Sequence, residues 1–591
     1  KLKTQNKMKS ETKNKVKIEN IRHSLAHILA YAVQELYPDV KIGIGPVIEN
    51  GFYYDFEFQK PTSDEQLPKI EKTMRNLIAR KLNFTVEKIT IKKAEKIFKD
   101  QPFKLDLLKE LLKERKELTI YRTGTFIDLC RGGHVENTSE INPDAFKLVR
   151  IAGAYWRGSE KKPMLTRIYG AAFSSNAELD NHLKTQEEAK KRDHRKLGVE
   201  LDLFTFSELI GPGLPLWTPR GTIVRHLLDD FVWELRQKRG YVKVEIPHIT
   251  KKDLYVKSGH WDKFQDELFQ IKTREGHLFV LKPMNCPHHT QIFARRINSY
   301  KEMPQRYANT TMMYRDEQTG ELSGLLRVRA ISIDDAHIFA RRSQIKEEIL
   351  SAWEIIQEFY GSFGFELKVS LSLHDPKHPE KYLGNPDLWR ETEQILRDIT
   401  KTKKVKSSEI IGEAAFYGPK IDFLAKDALQ REWQLSTIQL DMNLPERFDL
   451  YCINEKGEKE RIVMIHLAVM GSIERFLANI IEHFAGSFPL WLAPEQVWVV
   501  PITSKHTKYA KIITDQLASN ELRAKLKDEN ETVSKKIREG EIQKIPYLLV
   551  VGDKEIEKNS VSVRQRGKGD IGMMELTKFL EKTKTEIEKK N

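Results

Sequence analysis

The spacing of apolar residues divides the chain into stretches of different texture. Residues 1–17 are lysine-rich, polar and aperiodic, which predicts a disordered basic tail. From Ile18 the run IRHSLAHILAYAVQELYP repeats apolar residues at helical spacing and stops at Pro38, which predicts a helix. Glycine-punctuated, strand-like text follows (GIGPVIENGFYYDFEF), then a helix over about 68–82 and a helix-rich piece to Lys116. Residues 176–197 are charged and almost without an apolar stripe, as an exposed linker helix would be. Glycine and proline turns open a new unit at 198. A long amphipathic helix over 221–239 and a strand YVKVEIP come next, and a helix over 344–363 with further strands lies beyond 340. Past Pro494, the apolar runs VWVVPI and YLLVV alternate with helical stretches, a compact α/β pattern. The textures set the expected boundaries at 1–17, 18–175, 176–197, 198–493 and 494–591.

Between Tyr314 and Phe339 the text reads YRDEQTGELSGLLRVRAISIDDAHIF. Two antiparallel strands joined by a long, glycine-containing loop are expected, with Arg315, Arg327 and Arg329 projecting from one face. Guanidinium groups stay charged and bind phosphate oxygens in bidentate fashion. Asp335 and His337 alternate on the extended chain and point to one side. A carboxylate and an imidazole beside such a hairpin suggest a metal or polar substrate next to a nucleotide.

Composition adds less. Among 591 residues the formal net charge is +14, which favours a polyanionic partner, nucleic acid before membrane. Three scattered cysteines, Cys130, Cys286 and Cys452, make no disulfide framework and point to a reducing cytosol. No apolar run approaches the roughly 20 residues that span a bilayer, and the N-terminal text is not a secretory signal. A cytoplasmic protein without membrane partners is expected.

Potential soft ligands fall in two groups. His23 and His27 lie on one helical face, and Cys130 and His134 are also four apart; only a fold could join the pairs. Cys286, in LKPMNCPHHTQIF, is followed by His289, and these two could themselves share a metal. His466 lies on a later strand, and Arg475 falls in the first turn of the helix after it. An isolated arginine on a buried helix implies an anion.

Taken together these motifs resemble the bacterial-type threonyl-tRNA synthetases, from about Ile18 to the C-terminus. RHSLAH with DLCRGGH resembles that family's editing domain. YRDE, LLRVR and GSIER resemble the second and third class II signature motifs, and VGDKE and VRQRGKG its anticodon-binding domain. The resemblance implies a multidomain α/β and α+β chain: an antiparallel class II catalytic core, an N-terminal editing domain and a C-terminal α/β anticodon-binding domain. It implies joining of L-threonine to tRNA(Thr) through threonyl-adenylate, and hydrolysis of mischarged seryl-tRNA(Thr). One zinc ion per subunit would be held by Cys286, His337 and His466, with Mg2+ accompanying ATP. Arg315, Glu317, Arg327 and Arg475 would bind ATP, and Asp335, Tyr417 and Gln434 the threonine. His260 would lie near the terminal ribose of tRNA and assist transfer. His23, His27, Lys104, Tyr121, Asp128, Cys130 and His134 would form the editing site, and Asn530, Glu555 and Arg564 would read anticodon bases. A homodimer is implied through the 221–247 element. The family's small N-terminal ubiquitin-like domain is not found ahead of the editing domain in this sequence.

Six positions depart from the family pattern: His288, Ile331, Ile333, Leu435, Ser436 and Leu467. All are expected near the substrate pocket, with Ile331 and Ile333 making it less polar. An RNA-binding paralogue without activity would have lost a motif arginine or zinc ligand. A free-standing editing hydrolase would not have kept Cys286, His337, His466 and Arg475.

Overall fold

The computed structural model describes residues 2–113, 117–159 and 161–590, with side chains from residue 17 onward except that of residue 113. The chain forms two units, Lys1–Glu187 and Glu188–Asn591.

In the first unit, helix α1 (Leu2–Leu36) buries Leu25, Ile28, Leu29 and Val33 against Phe52, Tyr54 and Phe56 of a sheet. That sheet runs Lys41–Ile42, Gly51–Glu57, Met164–Ala172, Phe146–Tyr155. A second, three-stranded sheet orders Phe84–Lys88, Thr119–Thr123 and Phe126–Leu129. The tail expected to be disordered instead continues α1 back to Leu2. Its lysines and glutamine are good helix formers, and without glycine or proline an already nucleated helix propagates at little cost. The helix-rich piece contains helices Ile91–Ile97 and Pro102–Lys113; its expected end at Lys116 lies outside the described residues. The linker helix is two helices, Asn176–Arg192 and α2 (His194–Glu200). They break at Asp193, whose extended backbone and carboxylate cap α2 through the Arg195 N–H at 2.8 Å.

The second unit is built on helix α3 (Pro219–Gln237), helix α4 (Cys286–Ala294) and a sheet that includes β1 (Gln305–Tyr314), β2 (Ala330–Ala340), β3 (Lys420–Lys426), β4 (Glu432–Asp441) and β5 (Val463–Ser472). The spatial order is Val242–Lys243, β1, β2, β5, β4, β3, Leu367–Leu373, Ser407–Ile411. All neighbours are antiparallel except at the two edges. Helix α5 (Ile473–Phe484) follows β5 directly.

Strand β2 shows why the sheet has two different faces. Ala336 and Ile338 turn into the main core with Ile465, Leu467 and the helix Ile345–Gly361, and the buried Asp334 on the same parity meets Arg236 of α3 at 3.1 Å. The odd positions Ile331, Ile333, Asp335 and His337 face the opposite way, as period-two alternation requires. Register then pairs Asn309 with Asp335, and His337 with His466, which in turn lies opposite Gln439.

The hairpin forms as expected, but Tyr314 pairs with Ala330, so Arg315, Arg327 and Arg329 belong to the connecting loop and not to a strand face. The chain ends in a five-stranded sheet ordered Ala524–Leu526, Val497–Pro501, Tyr547–Val551, Ser560–Gln565, Gly569–Glu575.

Candidate active site and a second side-chain cluster

The register of β2 against β5 puts His337 beside His466, Nε2 to Nδ1 at 3.1 Å. Cys286, at the first turn of α4, completes a buried trio whose ligand atoms all lie within 4.8 Å of one another. The outer nitrogens are held from behind. His466 Nε2 donates to the buried Asp441 carboxylate at 3.0 Å, and His337 Nδ1 meets His289 Nδ1 at 2.7 Å. An Nε2–H directed at Asp441 leaves the Nδ1 lone pair of His466 facing inward. Burial holds the His337 imidazole neutral and pushes the Cys286 thiol well up. One sulfur and two nitrogens at this separation, with braced outer atoms, are the donor set of a zinc site. Cys286 therefore clusters with His337 and His466, while His289, its other possible partner, braces His337.

The walls of this centre are polar. Asn285 Nδ2 donates to Asp335 Oδ2 at 3.0 Å, and the Tyr417 ring stacks on His466 with centroids 4.9 Å apart. The Tyr417 hydroxyl donates to Gln439. Gln439 was not anticipated, although the alternation that picks out His466 also selects Thr437, Gln439 and Asp441 on one face of β4. Gln434, expected here, sits at the exposed outer end of that strand and donates to Asp422 at 2.8 Å and Thr437 at 3.1 Å. His260, expected near the terminal ribose of tRNA, is 1% exposed and its Nε2 lies 3.7 Å from the Cys286 sulfur. The left-handed Gly259 between two short helices turns its ring inward. Ser258 Oγ donates to the Tyr255 carbonyl and accepts from His260 Nδ1 at 2.8 Å. Nε2 is thus left as an acceptor beside the centre, and burial lowers this imidazole to about 3.

The arginine loop adjoins the same centre. Arg475, at the first turn of α5, has a solvent-exposed side chain, yet desolvation by the surrounding chain and then the charges of Arg315 and Arg327 lower its pKa, against the opposing Glu317. The charge of Arg315 also reaches His260 and Tyr417. Three guanidinium groups therefore crowd one place, which is favourable only where an anion is to be received. Arg327 meanwhile pairs with Glu317 at 2.6 Å and Glu321 at 3.0 Å.

Of the six departures, Leu435 and Leu467 are in the main core on the far side of the sheet. They are packing changes and not changes of the cleft, contrary to expectation. Ile331 and Ile333 do face the cleft. His288 is 7% exposed with neither ring nitrogen hydrogen-bonded.

In the first unit, folding joins the two pairs that the sequence left apart. His23, His27, Cys130 and His134 place one ligand atom each within 4.8 Å of the others. The Cys130 sulfur lies 3.5 Å from His23 Nε2 and 3.3 Å from His134 Nε2. Burial raises this thiol to about 11 and keeps His23 and His27 neutral. Beneath them Asp128 is bound by the buried Lys104 ammonium and by the Tyr54 hydroxyl at 2.5 Å. Lys104 also donates to Tyr54 at 2.9 Å. Tyr54 was missed because an apolar strand, GFYYDFEF, gives no sign of which tyrosine carries a buried charge network. The Tyr121 ring lies 4.6 Å from that of His134. A cavity of about 460 Å³ is lined by His23, His27, Lys104, Asp128 and Cys130.

Residues 269–484 match the tRNA synthetase class II core domain (G, H, P, S and T), 496–586 an anticodon binding domain, and 118–169 the threonyl and alanyl tRNA synthetase second additional domain. The chain is 47% identical to a threonine–tRNA ligase of Gloeobacter violaceus over 94% of this chain and 90% of that one. It is 48% identical to one of Porphyromonas gingivalis, over 96% and 87%. The chain belongs to the threonyl-tRNA synthetase family. The crystal structure of the RNA binding domain of threonyl-tRNA synthetase from Cryptosporidium parvum superimposes with a TM-score of 0.64 at 35% identity, covering 66% of this chain and 98% of that one.

Within this synthetase family member the three residues expected to read the anticodon fall in the C-terminal α/β part, and one of them, Arg564, lies on the sheet. Asn530 is exposed on the loop before helix Val533–Ile542, and Arg564 lies on Ser560–Gln565. Glu555 is 7% exposed and accepts from the Gly552 N–H at 2.9 Å and the Ser562 hydroxyl at 2.7 Å. It shapes the turn after Tyr547–Val551, and any base contact would be additional to that role. Among the described residues, no helix is long and apolar enough to cross a membrane.

Proposed function

We propose that the cleft between the trio Cys286, His337 and His466 and the arginine loop is where this ATP-dependent threonine–tRNA ligase forms threonyl-adenylate. The observation that carries the reading is the buried sulfur–imidazole trio next to three converging guanidinium groups. Zinc held by the trio would supply an open Lewis-acid position for the threonine amino and hydroxyl groups. Asp335, fixed by Asn285, accepts the threonine hydroxyl, and Tyr417 with Gln439 closes the other side. Gln434 would act only at the outer edge of this wall. A site built to bind a hydroxyl rejects valine far more strongly than the roughly hundredfold that an apolar pocket manages between near-isosteres.

Arg315, Arg327 and Arg475 receive the ATP phosphates, with Mg2+ accompanying ATP, and Glu317 holds the adenine amino group. Fixed cations of this kind stabilise charge that develops in the transition state without reorganising. The lone pair on His260 Nε2 accepts a proton during transfer to tRNA. Serine keeps the hydroxyl and lacks only a methyl group, worth about 1–3 kcal/mol, so it is activated as well. The cluster His23, His27, Cys130 and His134, with Lys104, Tyr121 and Asp128, hydrolyses the resulting seryl-tRNA(Thr), using water and neutral imidazoles. Asn530, Arg564 and Glu555 read the anticodon. A second copy of the chain packs on the face of α3 and Val242–Lys243, where Val242 is 52% exposed. Free thiols at all three cysteines suit a cytosolic enzyme.

ATP–pyrophosphate exchange tests the reading. Exchange should depend on threonine, be weak with serine and absent with valine, and collapse in Arg315→Ala. No threonine-dependent exchange in the intact chain would overturn it.

A further inference from the structure

His194 opens α2, outside every motif so far given a role, yet it is 2% exposed and bonded on both ring nitrogens. Its Nδ1 lies 2.6 Å from Glu482 Oε1, and its backbone N–H donates to the same oxygen at 3.1 Å. Its Nε2 accepts from the Leu325 backbone N–H at 3.1 Å. A carboxylate only accepts and a peptide N–H only donates, so the neutral Nδ1–H tautomer is the form that satisfies both. Glu482 is held in turn by Arg431, which also binds Asp427.

Leu325 lies in the arginine loop. The next carbonyl along, that of Leu326, accepts from Arg475 Nε at 3.2 Å. Glu482 and Arg475 are seven residues apart on α5, about two turns, and so share a face. The loop backbone is therefore gripped twice from that face, once through His194 and once by Arg475, immediately before Arg327. Gly324 lets the loop come this close: a Cβ there would stand 2.3 Å from His194 Nε2, at φ +51°.

We propose that His194 is a positioning residue for ATP. It fixes the arginine loop against α5 and so sets the spacing of Arg327 from Arg475. The proposal rests on the ATP reading of the loop given above. Arg475 spends only Nε on Leu326, which leaves its terminal nitrogens for phosphate, and the loop outside the strand ladder is held in register by His194.

The test is ATP–pyrophosphate exchange by the full chain at saturating threonine. His194→Ala should raise KM for ATP by about tenfold or more, equivalent to about 1.4 kcal/mol, with KM for threonine changed by less than about twofold. His194→Gln keeps an acceptor at the position facing Leu325 and should restore most of the ATP affinity. His194→Asn keeps only the donor to Glu482 and should not, even with equal thermal stability. An unchanged KM for ATP in His194→Ala overturns the proposal. So does a parallel rise in both KM values that tracks the loss of thermal stability. Should His194→Ala fail to fold, equal ATP affinity in the Gln and Asn variants overturns it. Absence of threonine-dependent exchange in the parent chain would instead refute the ATP reading itself.

Discussion

Replacing Asp441 with asparagine perturbs the proposed zinc site without touching Cys286, His337 or His466. Asp441 is fully buried. Its Oδ1 accepts from the Asn443 and Leu444 N–H groups at 2.8 and 3.0 Å, and its Oδ2 accepts from His466 Nε2 at 3.0 Å. Asparagine can keep the first oxygen in place, which presents its NH2 group to His466 Nε2. Two donors then face each other. His466 relieves the conflict by moving its proton to Nδ1, and that is the atom which faces His337 and the trio. Zinc binding must then reverse the tautomer and lose a charge-assisted hydrogen bond, which lowers zinc affinity by about 10–100-fold, or about 1.4–2.7 kcal/mol. Competition against a chromophoric chelator measures this directly. Threonine-dependent exchange should fall at limiting zinc and recover when zinc is added in excess. Unchanged zinc affinity with a folded protein would refute the assignment of His466 Nδ1 as a ligand.

Two further outcomes follow from the first unit. Burial raises the Cys130 thiol to about 11, so the thiolate is scarce at neutral pH. Its alkylation, followed by peptide mapping, should accelerate about tenfold per pH unit up to that value, as thiolate reactivity requires; a midpoint near 8–9 would contradict the raised thiol. Lys104→Met strands the Asp128 carboxylate in the interior and should cost about 3–5 kcal/mol in unfolding of that unit, whereas the double change with Asp128→Asn should cost clearly less. Equal losses in denaturant titrations would show that the two charges are not a pair.

Local chemistry made much of this legible. Alternation in β2 placed Asp335 and His337 on one face, and helical spacing placed His23 beside His27. What sequence could not supply was register. His466 joins His337 only because β5 pairs with β2 at that residue, and Gln439 enters the wall because it lies opposite His466 on β5. The bulge between Phe423 and Leu424 pairs Gln434 with Leu424, so Gln434 shares a face with Thr437 and Gln439 farther out along β4. Leu435 and Leu467 looked like pocket changes because they neighbour site residues in sequence, but adjacent residues on a strand point to opposite faces. The break at Asp193 was hidden within charged, helix-favouring text, although aspartate is a strong N-cap. The expected disorder of the tail gave too much weight to its polarity and too little to the helix it extends.

Zinc X-ray absorption tests the central claim most directly. The account predicts about one zinc per chain with one sulfur near 2.3 Å and two imidazole nitrogens near 2.0–2.1 Å. The spectrum should change on adding threonine and stay the same with valine. A sulfur-free environment, zinc lost in Cys130→Ala but kept in His337→Ala, or a spectrum indifferent to threonine would contradict it.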